Sequence, residues 1–123
     1  MQRRVLVVGN CTADHAAVRR ALREQFDVEV VHGFTADDTL ELLGEERFDL
    51  VLINRSLHGD GSDGIELIRQ IKAHPQLAGT AVMLLSDYGA YQEQAVAAGA
   101  LPGFGKTDIG SPQTHEKLRP VLS

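Results

Sequence analysis

Short apolar runs alternate with stretches of helical spacing along the whole chain, and that alternation admits few architectures. Val5-Leu6-Val7-Val8 is a continuous run, as a parallel strand buried on both faces requires. From Ala13 to Gln25, Ala17, Val18, Ala21 and Leu22 recur at helical spacing, with Thr12 or Asp14 suited to cap the start. The valines between Asp27 and Val31 read as a second strand. Thr35 then opens a helix carrying Leu40, Leu42 and Leu43, with Asp37 and Asp38 placed at its positive end.

Asp49 to Ile53 is the third and most apolar strand, followed by the turn-rich loop Gly59-Asp60-Gly61-Ser62-Asp63-Gly64. A helix with Ile65, Leu67, Ile68 and Ile71 inside is halted by Pro75. Thr80 to Leu85 forms a fourth strand, and Tyr88 to Ala98 an alanine-rich helix ended by Gly99. A short strand over Leu101 to Gly105 precedes a last helix opened by Ser111-Pro112, a capping Ser with Pro in the first helical position. Five β–α repeats in one domain, residues 1–123, predict an α/β fold: a parallel sheet with helices on both faces.

A length of 123 residues supports one hydrophobic core without staples. The net charge of −5 without a basic cluster argues against direct nucleic-acid binding. The single Cys11 excludes an internal disulfide and fits a reducing compartment. No apolar stretch approaches the roughly 20 residues that cross a bilayer. The start, Met1-Gln2-Arg3-Arg4 with four apolar residues after it, is too short for an export signal. Arg3-Arg4 reads as a charged cap before the first strand, and the expected location is the cytoplasm.

In open α/β sheets chemistry gathers outside the carboxyl ends of the strands, which is where Asn54 closes the third one. An amide there is neutral, a poor nucleophile and a weak ligand for Mg2+.

The order and spacing of these elements resemble the receiver domain of bacterial two-component response regulators. The resemblance rests on Asp49-Leu50-Val51-Leu52-Ile53 before a Gly-rich loop, Gly64-Ile65-Glu66-Leu67-Ile68, Val82-Met83-Leu84-Leu85-Ser86, and Ala98-Gly99-Ala100 followed by Lys106. It implies a flavodoxin-like three-layer α/β/α sandwich with a five-stranded parallel sheet of order 2-1-3-4-5. Members of that family accept a phosphoryl group on an aspartate ending strand three. Two acids after strand one hold Mg2+, and a Ser or Thr and a Lys contact the phosphoryl oxygens. Metal and ammonium neutralise the charge on the transferring group while the carboxylate attacks in line.

Matched position by position, the metal-holding pair is Gly9 and Asn10 and the acceptor is Asn54, while Ser86 and Lys106 fit the hydroxyl and ammonium positions. Thr107 stands where a proline usually follows that lysine, and the loop from Asn54 to Gly64 is about two residues longer than the family spacing. The resemblance therefore implies a degenerate receiver, or pseudo-receiver. It is expected to hold no Mg2+ or other cofactor, to escape phosphorylation at the usual position, and to act as a non-enzymatic module through protein–protein interaction. Its expected partner is a signalling protein: a histidine kinase, an output domain or another regulator. The chain reads as a candidate module of a longer regulator or kinase.

Two alternatives stay open on the sequence. One is an anion or small-molecule sensor built on Ser86, Lys106 and Asn54; the other is a receiver phosphorylated at a non-standard acid such as Asp60. Lys106 is read first as a donor to Asn54 or nearby carbonyls. Asp60 and Asp63 are read as turn and cap residues, and Asp14 as a cap. His15, His32, His58, His74 and His115 show no metal-ligand spacing, with only His58 near the site. Cys11 is read as a small, partly buried residue. Tyr88, Tyr91 and Phe104 form a candidate interaction face; in relatives that region docks partners or a second copy, so a homodimer is among the assemblies expected.

Overall fold

The computed structural model describes residues 2–123; Met1, first of the charged start read above, lies outside them. Strand β1 (Arg3–Val8) is followed by α1 (Thr12–Gln25), β2 (Val28–Gly33), α2 (Ala36–Glu45), β3 (Leu50–Asn54) and α3 (Gly64–Ala73). Then come β4 (Val82–Leu85), α4 (Gly89–Ala97), β5 (Leu101–Phe104), a 3-10 turn (Lys106–Asp108) and α5 (Pro112–Leu122). The five strands are parallel in the order β2-β1-β3-β4-β5. This is the flavodoxin-like sandwich that the spacing and the resemblance imply.

The continuous apolar runs divide between two cores, because successive strand side chains point to opposite faces. Leu6, Val8, Val51, Ile53, Val82 and Leu84 pack toward α2, α3 and α4. Val5, Val7, Leu50, Leu52, Met83 and Leu85 pack toward α1 and α5. On β1, β3 and β4, burial on both faces leaves only the strand ends open to solvent, and the carboxyl ends carry the loops of interest.

The caps are local and legible. Thr35 and Asp38 form a reciprocal capping box on α2, and Ser111 accepts from the Thr114 N–H at the start of α5. At α1 the N-cap is Cys11, with no side-chain cap bond, so neither Thr12 nor Asp14 takes that place. Arg3 and Arg4 lie inside β1 rather than before it: the Arg4 N–H donates to Asp49, and its guanidinium reaches Glu29 and Glu46. The fourth strand starts at Val82 rather than Thr80, since the Thr80 N–H closes a turn onto the Leu77 carbonyl.

The β4–β5 ladder shifts register between Met83 and Leu85. Gln92 spans the irregularity, donating to the Leu84 and Ser86 carbonyls and accepting from the Gly103 N–H. No helix among the described residues is long and apolar enough to cross a membrane.

Candidate functional site

The topology brings Gly9, Asn10, Asn54, Ser86 and Lys106 to the carboxyl ends of four neighbouring strands. Gly9 turns the chain out of β1 at φ +86°, a left-handed conformation suited to glycine. A Cβ there would lie 2.7 Å from Cγ of Leu57, which comes from the loop after β3. The His58 N–H donates to the Gly9 carbonyl at 2.9 Å. The loops after β1 and β3 are thus bonded and packed together across the point where strand order reverses, the usual ligand crevice of such sheets.

Asn10, which the resemblance aligns with the second metal-holding position, is only 3% exposed, and neither polar atom of its amide has a hydrogen-bond partner within the protein. It presents no oxygen to solvent at the crevice. Asn54 is half-buried, and its amide donates to the Ser56 carbonyl at 2.8 Å. The Ser86 hydroxyl accepts from the Tyr88 N–H at 3.2 Å.

Lys106 does not meet Asn54. Its ammonium donates to Oδ2 of Asp14 at 2.8 Å, joining the 3-10 turn to the first turn of α1. That contact also corrects the capping role expected of Asp14. The bond and charge of Lys106 hold the Asp14 carboxyl below the usual range, with the Cys11 thiol adding a smaller contribution. The Lys106 ammonium is therefore balanced from within. Among the described residues no three His, Cys, Asp or Glu side chains converge as metal ligands would. A polar cavity of about 420 Å³ lies beside Ser86, between the starts of α4 and α5, but neither Lys106 nor Asn54 lines it.

The loop after β3 has a defined shape. Ser56 and Asp63 form an antiparallel bridge, and the Leu57 N–H bonds the Ser62 carbonyl. Asp63 caps α3 by accepting from the Ile65 N–H. Asp60 accepts from Ser62 N–H within the loop and from Ala36 N–H across it, at the start of α2. Those backbone donors hold the Asp60 carboxyl below its ordinary range. His58 is exposed.

Two histidines that spacing alone does not single out meet beside this edge. The rings of His15 on α1 and His32 on β2 stack at 3.8 Å, and Phe34 lies 4.1 Å beyond His32. His32 Nε2 is 3.0 Å from the Asn10 carbonyl oxygen. Burial first, then the neighbouring His32 and Arg19, push the His15 imidazole down to about 4. The one sequence hint is that both residues belong to elements that the parallel order makes adjacent.

The aromatic face is smaller than expected. Tyr88 is 70% exposed and meets Tyr91 edge to face, with the Arg55 guanidinium 4.7 Å over the Tyr91 ring. Phe104 is not part of it: the side chain is 4% exposed and packs on the opposite side of the sheet, in the core beneath α1 and α5. An exposed face therefore retains Tyr88 and Tyr91 only.

Comparison with known proteins agrees with this geometry. A family model described as the response regulator receiver domain matches residues 5–107. The structure resembles the signal receiver domain of a DNA-binding response regulator from Colwellia psychrerythraea 34H, with TM-score 0.80, 20% identity and 97% of each chain covered. It also resembles the chemotaxis response regulator CheY4 of Vibrio cholerae, at TM-score 0.76 and 18% identity, over 99% of this chain and 100% of that one. The receiver domain of RcsB from Escherichia coli gives TM-score 0.77 and 20% identity, over 98% and 95%. At such identities these likenesses establish the fold alone. No curated protein matches the sequence. The matched span covers most of the chain, and the chain belongs to the response regulator receiver domain family.

Proposed function

We propose that this receiver domain is a pseudo-receiver that signals by protein–protein interaction rather than by an aspartyl phosphate. The observation that carries the reading is the state of the carboxyl edge. Asn54 ends β3, Gly9 and Asn10 bring no carboxylate, and the Lys106 ammonium is bound to Asp14. Mg2+ needs carboxylate oxygens in near-octahedral placement, and phosphoryl transfer needs that metal and a carboxylate nucleophile. Asn54, committed to the Ser56 carbonyl, supplies neither.

In this reading the domain is non-enzymatic and cytoplasmic, and its partner is a histidine kinase, an output domain or another regulator. Any switching comes from differential affinity of that partner for two conformations. Incubation of the chain with acetyl phosphate and Mg2+ is expected to add no phosphoryl mass, and beryllofluoride with Mg2+ to leave its amide spectrum unchanged. A labile phospho-adduct on any carboxylate, Asp60 included, would overturn the proposal. The sensor alternative has weaker support, since Lys106 is already occupied and does not share a cavity with Ser86.

A further inference from the structure

Most cations of this chain are engaged within the fold. Of the 12 Lys and Arg side chains, all but four are hydrogen-bonded or ion-paired to a carboxylate or a backbone carbonyl among the described residues. The four are Arg19, Arg20, Arg23 and Arg47, and the first three share one stretch of α1. Arg19 and Arg23 are four positions apart, Arg20 and Arg23 three, so they are neighbours on the helix surface. All three are exposed, and with Ala16 and Glu24 they line one open cavity of about 470 Å³. The small side chain of Ala16, a turn before Arg19 and Arg20, keeps one end of it shallow enough for a neighbour to approach.

Glu24 is the one carboxylate in that lining, and it is ion-paired with none of the arginines. Three guanidinium groups against one carboxylate leave a local charge of +2 on a chain whose net charge is −5. The negative end of α1 offsets part of the Arg23 charge, but that field fades within the last turn. Like charges at this spacing repel, and no other group of the fold relieves them.

The spacing selects the counter-charge. A guanidinium fork pairs with a carboxylate through two parallel N–H bonds. Arg19 and Arg23 stand about 6 Å apart along the helix axis, the separation of two carboxylates one turn apart on a facing helix. Nucleic acid fits less well. A duplex track of about 6–10 phosphates needs more cations than three. The negative charge of the whole chain also repels a polyanion over a Debye length of about 10 Å.

We propose that the Arg19–Arg20–Arg23 face of α1 docks an acidic helical segment of a partner protein, with its carboxylates one turn apart. This rests on the reading of the domain as an interaction module and names its surface and the chemistry of its partner. The face lies across the sheet from Tyr91, which packs on the side of α2, α3 and α4.

The test is a titration of the full chain at low salt, followed by amide NMR, with acetyl-(Glu-Ala-Ala-Gln)3-amide and its counterpart with Gln in place of each Glu. The acidic peptide is expected to shift the amides of Ala16, Arg19, Arg20, Arg23 and Glu24 and to saturate at millimolar concentration. The uncharged peptide should not bind. Arg19→Gln combined with Arg23→Gln should weaken binding by about 3-fold or more. Arg47→Gln removes an equally unpaired charge from the turn before β3 and should leave binding unchanged. All three positions are exposed, so the variants keep the wild-type amide spectrum outside α1 and the turn before β3. No saturation, equal affinity for the two peptides, or an equal loss in Arg47→Gln would overturn the proposal. So would shifts centred on Tyr88 and Tyr91, or tighter binding of a 12-base-pair DNA duplex at the same arginines. Each of these leaves the pseudo-receiver reading standing, whereas phosphorylation of the wild-type chain removes that reading independently of this titration.

Discussion

Lys106 and Asp14 stand 92 positions apart in sequence and 2.8 Å apart in space, so the ammonium at the end of β5 is held by a carboxylate of the first helix. Both side chains are substantially exposed, so the pair adds about 0.5 kcal/mol or less to stability. Its sign is nonetheless fixed. Asp14 is depressed in the fold, so its contribution is present above the unfolded pKa and is lost as pH falls through the lower folded value. A carboxyl NMR titration should show Asp14 below the ordinary range in the wild type and back near it in Lys106→Ala. An unchanged titration would mean that the ion pair does not persist in solution.

Restoring the acceptor alone should not restore phosphorylation. Asn54→Asp supplies a carboxylate but no metal oxygens at Gly9 and Asn10, and acetyl phosphate with Mg2+ should leave its mass unchanged. Adding Gly9→Asp meets a second obstacle, because position 9 has φ +86° and its Cβ would press on Leu57. That substitution should cost about 1–3 kcal/mol in urea unfolding. Efficient phosphorylation of the single variant would show that the remaining groups suffice.

His15 predicts a pH slope. The unfolded imidazole takes up a proton below its ordinary 6.5, whereas the folded one stays neutral until about 4. The unfolded state therefore binds more protons in that window, and stability declines as pH falls from 6.5 toward 4. His15→Phe keeps a ring against His32 and should flatten this part of the stability–pH curve. A slope equal to wild type would assign the dependence to other groups.

Gln92 predicts a local loss at the irregular strand pair. Its amide serves three backbone groups where the β4–β5 ladder cannot, so Gln92→Ala leaves part-buried donors and acceptors unpaired. A destabilisation of about 1–3 kcal/mol is expected. Hydrogen exchange should accelerate at Gly103 before it does in β1 or β3. Uniform exchange across the sheet would contradict this.

Much of the fold was legible because its causes are local. Val5 to Val8 and Leu50 to Ile53 announce strands buried on both faces, and Thr35 and Ser111 announce helix starts through bonds three residues away. Gly9, Asn10 and Asn54 could also be placed at the carboxyl edge, since strand ends fix them. What escaped was set by distance in sequence. Asp14 finds Lys106, and His15 finds His32, only after the sheet has closed. The burial of Phe104 is not legible because β5 is four residues long and its register slips, which erases the alternation that assigns a side chain to one face.

The bridged loop after β3 has a consequence for any attempt to remodel this protein. Leu57, at its base, fills the gap over Gly9, while Gly59 and Asp60, at its tip, brace the segment bearing Phe34. Shortening this loop would remove the Leu57 side chain from over Gly9 and the Asp60 bond from the start of α2 together, so the crevice edge and the β2–α2 turn share one support.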